Sequence, residues 1–159
     1  MKLLLAILLL ATAATASAQT NRFAATVFSV RTNDLSITNQ TNATSTELTF
    51  NTQANAGYAV TIFTITDQGG AGNTLLNLVA SNATLFGTWN GAGSSFATTN
   101  NITNTFTISA SGQRGISQTF YVAAGTNAGS VTLQFSGNVA TNTNTIRAGS
   151  FMRADKMPQ

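Results

Sequence analysis

Between Thr46 and Thr66 the chain alternates apolar and polar side chains on both sides of an Ala54-Asn55-Ala56-Gly57 turn. A period of two puts every second side chain on one face of a sheet, which commits this stretch to β-structure. Leu48 and Phe50 flank Thr49, and beyond the turn Tyr58, Val60 and Ile62 alternate with Ala59 and Thr61. Asn tolerates a left-handed backbone and Gly adopts one without steric cost, so the pattern predicts two strands joined as a tight hairpin. Phe63 and Ile65 then take the opposite parity. The second strand is therefore either apolar on both faces or changes face by a bulge at Ile62-Phe63, and either way it belongs inside a sheet.

The same alternation recurs along the chain. Phe23 to Val30 reads as a first strand and Leu35-Ser36-Ile37 as a second. Leu75 to Val79 fits a helical turn or a strand equally well, and Leu85 to Trp89 fits a short strand. Ile102 to Ala110 and Ile116 to Val122 are strands joined by a Ser111–Gly115 turn, and a second turn at Ala124–Gly129 leads into Val131, Leu133 and Phe135. Short strands every ten residues or so, with Gly and Asn turns between them, predict an all-β antiparallel sandwich of about 7–9 strands, of the immunoglobulin-like kind. The predicted core is Phe50, Val60, Ile62, Phe106, Ile108, Phe120, Val122, Val131, Leu133 and Phe135.

Met1-Lys2, the uncharged run Leu3–Leu10 and the small residues Ala16-Ser17-Ala18 have the layout of a secretory signal peptide. The predicted organisation is thus a signal peptide over 1–18, one sandwich domain over 19–148 and a loosely held tail over 149–159. The expected location is periplasmic, cell-surface or extracellular, with no stable membrane insertion after cleavage. With no Cys, a disulfide cannot contribute to stability.

Charge is sparse. Arg22, Arg31, Arg114, Arg147, Arg153 and Lys156 face Asp34, Glu47, Asp67 and Asp155 across the mature chain. The cations are scattered, whereas nucleic-acid binding needs them clustered, so that function is set aside. The chain relies instead on 28 Thr and 17 Asn. A surface of hydroxyls and amides leaves sheet edges without their usual charged guards.

Catalytic options are few. Without His or Cys, no Ser-His-Asp or Cys-His device forms, and zinc and copper lose their usual ligands. Glu47 and Asp67 read as a solvated strand–turn pair rather than a catalytic one. Asp67, Gln68 and Asn73 are a thin oxygen set for calcium. The chain is read as non-enzymatic, with no cofactor and no metal. Asn39, Asn42, Asn82 and Asn101 each open an Asn-x-Thr match, which chance supplies readily in such a composition. Trp89, Tyr58 and Tyr121 are the candidate stacking platform for a sugar ring.

The segments Phe50–Ile62 and Phe120–Leu133 resemble elements of exported bacterial immunoglobulin-like sandwiches, including spore-coat-U-like and fimbrial-subunit-like domains. One is a strand, Asn-x-x-Gly-Tyr and a second strand; the other is a closing hairpin. The resemblance implies a structural or surface role and transfers no catalytic residue. Lacking the cysteines of many such domains, the chain is not implied to use chaperone–usher assembly.

Three functions follow as expectations. The first is a non-catalytic coat, filament or matrix module acting by sheet association with itself or other surface proteins, with Phe23, Ala25, Val27, Phe28 and Val30 as the assembly strand. The second is a carbohydrate-binding or adhesive module that uses exposed aromatics on polysaccharide. The third is a small outer-membrane barrel, disfavoured because aromatic girdles are missing from the sequence.

Overall fold

Alternating side chains form strands along most of the described chain. The computed structural model describes residues 26–38, 43–70, 73–89, 94–101, 106–108, 112–138 and 142–158. Among these residues there is no helix. The strands are β1 (Thr26–Val30), β2 (Leu35–Thr38), β3 (Thr44–Thr52), β4 (Gly57–Gly69), β5 (Thr74–Trp89) and β6 (Ser94–Asn101). They continue with β7 (Phe106–Ile108), β8 (Gly112–Ala124), β9 (Gly129–Gly137), β10 (Thr143–Ile146) and β11 (Phe151–Lys156). Every pairing is antiparallel, as the sequence predicts.

The described strands number eleven rather than seven to nine. The excess arises because long strands are interrupted midway. β10 and β11 pair in succession along one edge of β4, and β2 and β1 pair in succession along β10 and β11. β9 and β8 likewise follow one another along a single edge of β5.

All the described strands belong to one continuous sheet with the path β1-β11-β4-β8-β5-β9-β3; β10 and β2 extend from β4, and β6 and β7 line the far edge of β5. The sheet folds over so that β4, β8 and β11 face β3 and β9 across a single core. β5 carries it round the corner. Its buried residues are Thr74, Leu76, Leu78 and Ala80, then Ala83 and Leu85, so the inward parity flips between Ala80 and Ala83. Asn82 sits at the flip with φ 48°, the mark of a bulge at which a strand changes layer. Of the two alternatives for the second strand, the structure shows the one without a bulge at Ile62-Phe63. Tyr58, Val60, Ile62, Thr64, Thr66 and Gln68 are buried in unbroken alternation, and Phe63 and Ile65 lie on the other face.

The core holds Leu48, Phe50, Val60, Ile62, Leu76, Leu78, Leu85, Phe120, Val122, Val131, Leu133, Phe135, Ile146 and Met152. Full burial of such side chains contributes about 1.5–3 kcal/mol each. Of the predicted core residues, all but Phe106 are buried, and the Phe106 side chain lies outside the described part.

Four expectations are corrected. β3 and β4 are not a hairpin: β3 pairs with β9, while β4 pairs with β8, β10 and β11. The Gln53–Ala56 turn is an arch between layers, with Asn55 at φ 56° and the Phe50 and Tyr58 rings 5.3 Å apart across it. Apolar alternation looks the same in an arch and a hairpin, because both turn one face inward. β8 and β9 are not a closing hairpin either, since both pair with β5, and Gly112–Gly115 is strand rather than turn. Finally, Phe151–Lys156 is no loose tail. It is strand β11, laddered to β1 on one edge and β4 on the other, with Met152 and Ala154 fully buried. Leu75 to Val79, left open between helix and strand, is part of β5.

Candidate interaction surface

The register of the first layer determines what its outer face displays. One row across the strands reads Phe86, Tyr121, Ala59, Asp155 and Thr26. The next reads Thr119, Thr61, Arg153 and Phe28, and a third reads Ser117, Phe63, Phe151 and Val30. Aromatic groups therefore occupy two diagonal corners, with hydroxyls and one ion pair between them.

At the β1 corner, Phe28 and Phe151 have ring centroids 5.4 Å apart, and Phe151 and Phe63 stack at 5.6 Å. Gly115 leaves room for Phe63 to lie over β8: a Cβ at Gly115 would come within 3.3 Å of that ring. Phe28 is 58% exposed and Val30 47%. At the β5–β8 corner, Phe86 (39% exposed) and Tyr121 (38%) meet at 5.9 Å and 39°. Tyr121 lies across Gly57, where any Cβ would sit 2.6 Å from its hydroxyl oxygen. Arg153 Nε bonds Asp155 Oδ1 at 3.1 Å, and the Thr26 hydroxyl donates to the same oxygen at 2.7 Å. These contacts, the Thr26 bond foremost, hold the Asp155 carboxyl below its ordinary pKa.

The structure distributes the predicted site residues unevenly. Tyr58 is 2% exposed and its hydroxyl oxygen accepts the Gln53 N–H, so it belongs to the core and not to a platform. Trp89 ends β5, paired with Ser94; its side chain lies outside the described part. Of the two whose side chains are described, Tyr121 is displayed and Tyr58 is not. Phe23 and Ala25 fall outside the described residues, as do residues 1–18. Val27 packs against the core, while Phe28 and Val30 face outward.

β1 pairs within its own chain. Thr26 to Val30 ladder with Asp155 to Phe151. Toward β3 it makes no described ladder but closes through side chains: the Ser29 hydroxyl donates to Glu47 O at 3.1 Å, and the buried Arg31 donates to Thr46 O and, at 3.3 Å, to the Glu47 carboxylate. Phe63, Phe86 and Phe151 join this surface although local alternation does not mark them as surface groups. Phe151 stands outward between buried Ser150 and Met152, and in isolation that signal is too short to separate from a tail.

Glu47 and Asp67 do not meet as a pair: Glu47 bonds Arg31, and Asp67 and Asp34 both bond Arg147. With Asp67 engaged in this way, the thin calcium set has lost its carboxylate to an ion pair. Among the described residues no three of His, Cys, Asp and Glu gather as metal ligands. The surface offers flat aromatic stacking and hydroxyl hydrogen bonding.

No family model matches the chain, and no curated protein matches it. Among solved structures it is similar to dimeric latent PorU from Porphyromonas gingivalis, at 10% identity and a TM-score of 0.38, over 87% of this chain and 13% of that one. It is also similar to infectious bursal disease virus, Gx strain, at 9% identity and a TM-score of 0.32, over 83% of this chain and 40% of that one. The Gt strain gives 11% identity and a TM-score of 0.30, over 88% and 43%. The chain thus spans 13% of the first structure's length and about two fifths of the other two. Likeness at these scores carries no argument about function.

Proposed function

We propose that this protein is a non-catalytic, exported structural or cell-surface module that works by association of its sheet surface. The observation that supports the reading is the corner built from Phe28, Val30, Phe151 and Phe63. Two large apolar side chains, 58% and 47% exposed, stand there beside a stack of two more rings on an antiparallel face. Contiguous apolar surface of this kind is removed from water when two such faces meet. The reading agrees with the resemblance to coat and fimbrial domains, and the partner is a second copy or another surface protein.

A second reading keeps the protein as a polysaccharide-binding or adhesive module, supported by the exposed Phe86–Tyr121 ring pair beside the hydroxyls of Thr119 and Thr61. One experiment compares the two. The exported protein and its Phe28→Glu and Tyr121→Ala variants are followed by sedimentation velocity over a concentration series and by polysaccharide pull-down. The association reading expects wild-type assembly that Phe28→Glu abolishes and Tyr121→Ala leaves intact. A wild-type protein that stays monomeric throughout, yet is captured by polysaccharide unless Tyr121 is removed, would overturn it in favour of the second.

A further inference from the structure

The inner face of β4 is divided. Tyr58, Val60 and Ile62 line its first half, and Thr64, Thr66 and Gln68 line its second, all six nearly or fully buried. The polar half continues across the sheet at its end, where Gln68 stands opposite Asn144, whereas Thr66 stands opposite Ile146 and Thr64 opposite Ile116. Asn144 Oδ1 in turn accepts the buried Thr74 hydroxyl of β5 at 2.6 Å. Ser136 and Asn142 are also buried.

Such groups are costly to bury unless each finds a hydrogen-bond partner. Thr64 does not find one: its hydroxyl is buried, at 0% residue exposure, and meets no partner among the described residues. The next hydroxyl along the same face, Thr66, reaches only the Arg114 carbonyl, at a long 3.5 Å.

We infer that the buried Thr64 hydroxyl marks an internal hydration site, in which at least one long-lived water bonds it. Buried waters of this type typically make about three hydrogen bonds to groups left unsatisfied by the protein. A water here both accepts from and donates to a hydroxyl, which suits the neutral Thr64 side chain. The core then has a dry end, at Val60, Ile62, Phe120 and Val122, and a wet end.

The test compares the wild type with Thr64→Val, which keeps the shape and deletes the hydroxyl, and with Thr64→Ser, which keeps the hydroxyl. Oxygen-17 relaxation dispersion counts long-lived internal waters, and urea denaturation reports the midpoint. The expected result is a dispersion amplitude lowered by at least one water in Thr64→Val and retained in Thr64→Ser, with a lower midpoint for the valine variant. Unchanged dispersion in Thr64→Val overturns the inference whichever way the midpoint moves. A raised midpoint would then show that the hydroxyl was buried dry.

Discussion

Two corners of this molecule solve the same problem with different chemistry. At one, the chain between β8 and β9 crosses beside Asn82 of β5. Between the pairs Ala83–Ala124 and Ser81–Ser130, a single β5 residue faces a whole loop. At the other, Arg147–Ser150 between β10 and β11 crosses beside Thr64 and Ile65 of β4. The Asn82 corner is neutral. Gly125 N–H donates to Asn82 O at 2.7 Å, Asn55 N–H to Gly125 O at 2.8 Å, and the Asn82 amide to Ala128 O at 3.2 Å. The Arg147 corner is ionic. Arg147 bonds Asp34 at 2.6 Å and also Asp67, and Asp34 accepts the Ala148 N–H at 2.8 Å. A strand that must change layer is held by close backbone fit, whereas a strand that continues straight is tied to its neighbours by exposed charges.

The largest expected effect tests the close fit. A Cβ on Gly129 would overlap the Ser81 carbonyl oxygen, a backbone atom that cannot turn aside. Gly129→Ala should therefore cost about 3 kcal/mol, at the upper end of ordinary overpacking penalties. Gly149, in the ionic corner, has φ 87°, but a Cβ there would meet only Ile65 Cδ1, at an ordinary 3.7 Å. Gly149→Ala should lose only the strain of a left-handed residue, about 1–2 kcal/mol. Urea midpoints of the two variants check the ranking, and a reversed order would break the comparison.

Asn82 gives the intermediate case. It combines a positive φ with a side-chain bond to Ala128 O. Asn82→Ala forfeits both and should cost about 1–2 kcal/mol, whereas Asn82→Gly relieves the backbone and should recover part of the loss. Equal losses in the two variants would show that the side-chain bond, and not the backbone, holds the corner.

These corners also mark where the sequence stopped being legible. The strands, nine of the ten predicted core residues and the antiparallel class follow from a period of two that local burial imposes. Which strands pair does not follow. Phe50 and Tyr58 read as hairpin neighbours because a turn separates them, yet they meet across the core from opposite layers. The parity flip after Ala80 is visible once known, since Leu76, Leu78 and Ala80 give way to Ala83 and Leu85. Small residues at the flip weaken the signal. β11 was lost because its outward residues include Arg153 and Asp155, and its inward ones are only Met152 and Ala154. On the candidate surface, Tyr121, Phe28 and Val30 were legible as apolar groups of alternating strands. Their grouping with Phe86, Phe63 and Phe151 depends on cross-strand register, which no local pattern carries.

The smallest expected effect separates the corners by pH. The Ala148 N–H and then Arg147 lower the Asp34 pKa, while Asp34 and then Asp67 raise that of Arg147. A carboxylate with a lowered folded-state pKa contributes stability above its unfolded value and loses it as pH falls through the lowered one. A raised arginine stays charged throughout that window, so the acid side carries the effect. Both Asp34 and Arg147 are solvent-exposed, where ion pairs are weak, and the global change will be slight. Asp155, also lowered, adds a change of the same sign at β1 and β11, so a bulk denaturation curve mixes the two. Amide exchange resolves them by place. After correction for intrinsic rates, acidification should reduce protection at the Ala148 N–H and leave the Gly125 N–H, held by the neutral Asn82 carbonyl, unchanged. In Asp34→Asn the amide oxygen still accepts from Ala148, so its protection should no longer depend on pH across the aspartate range. If Gly125 loses protection in step with Ala148, the two corners open as one unit and their difference in chemistry has no separate consequence for stability.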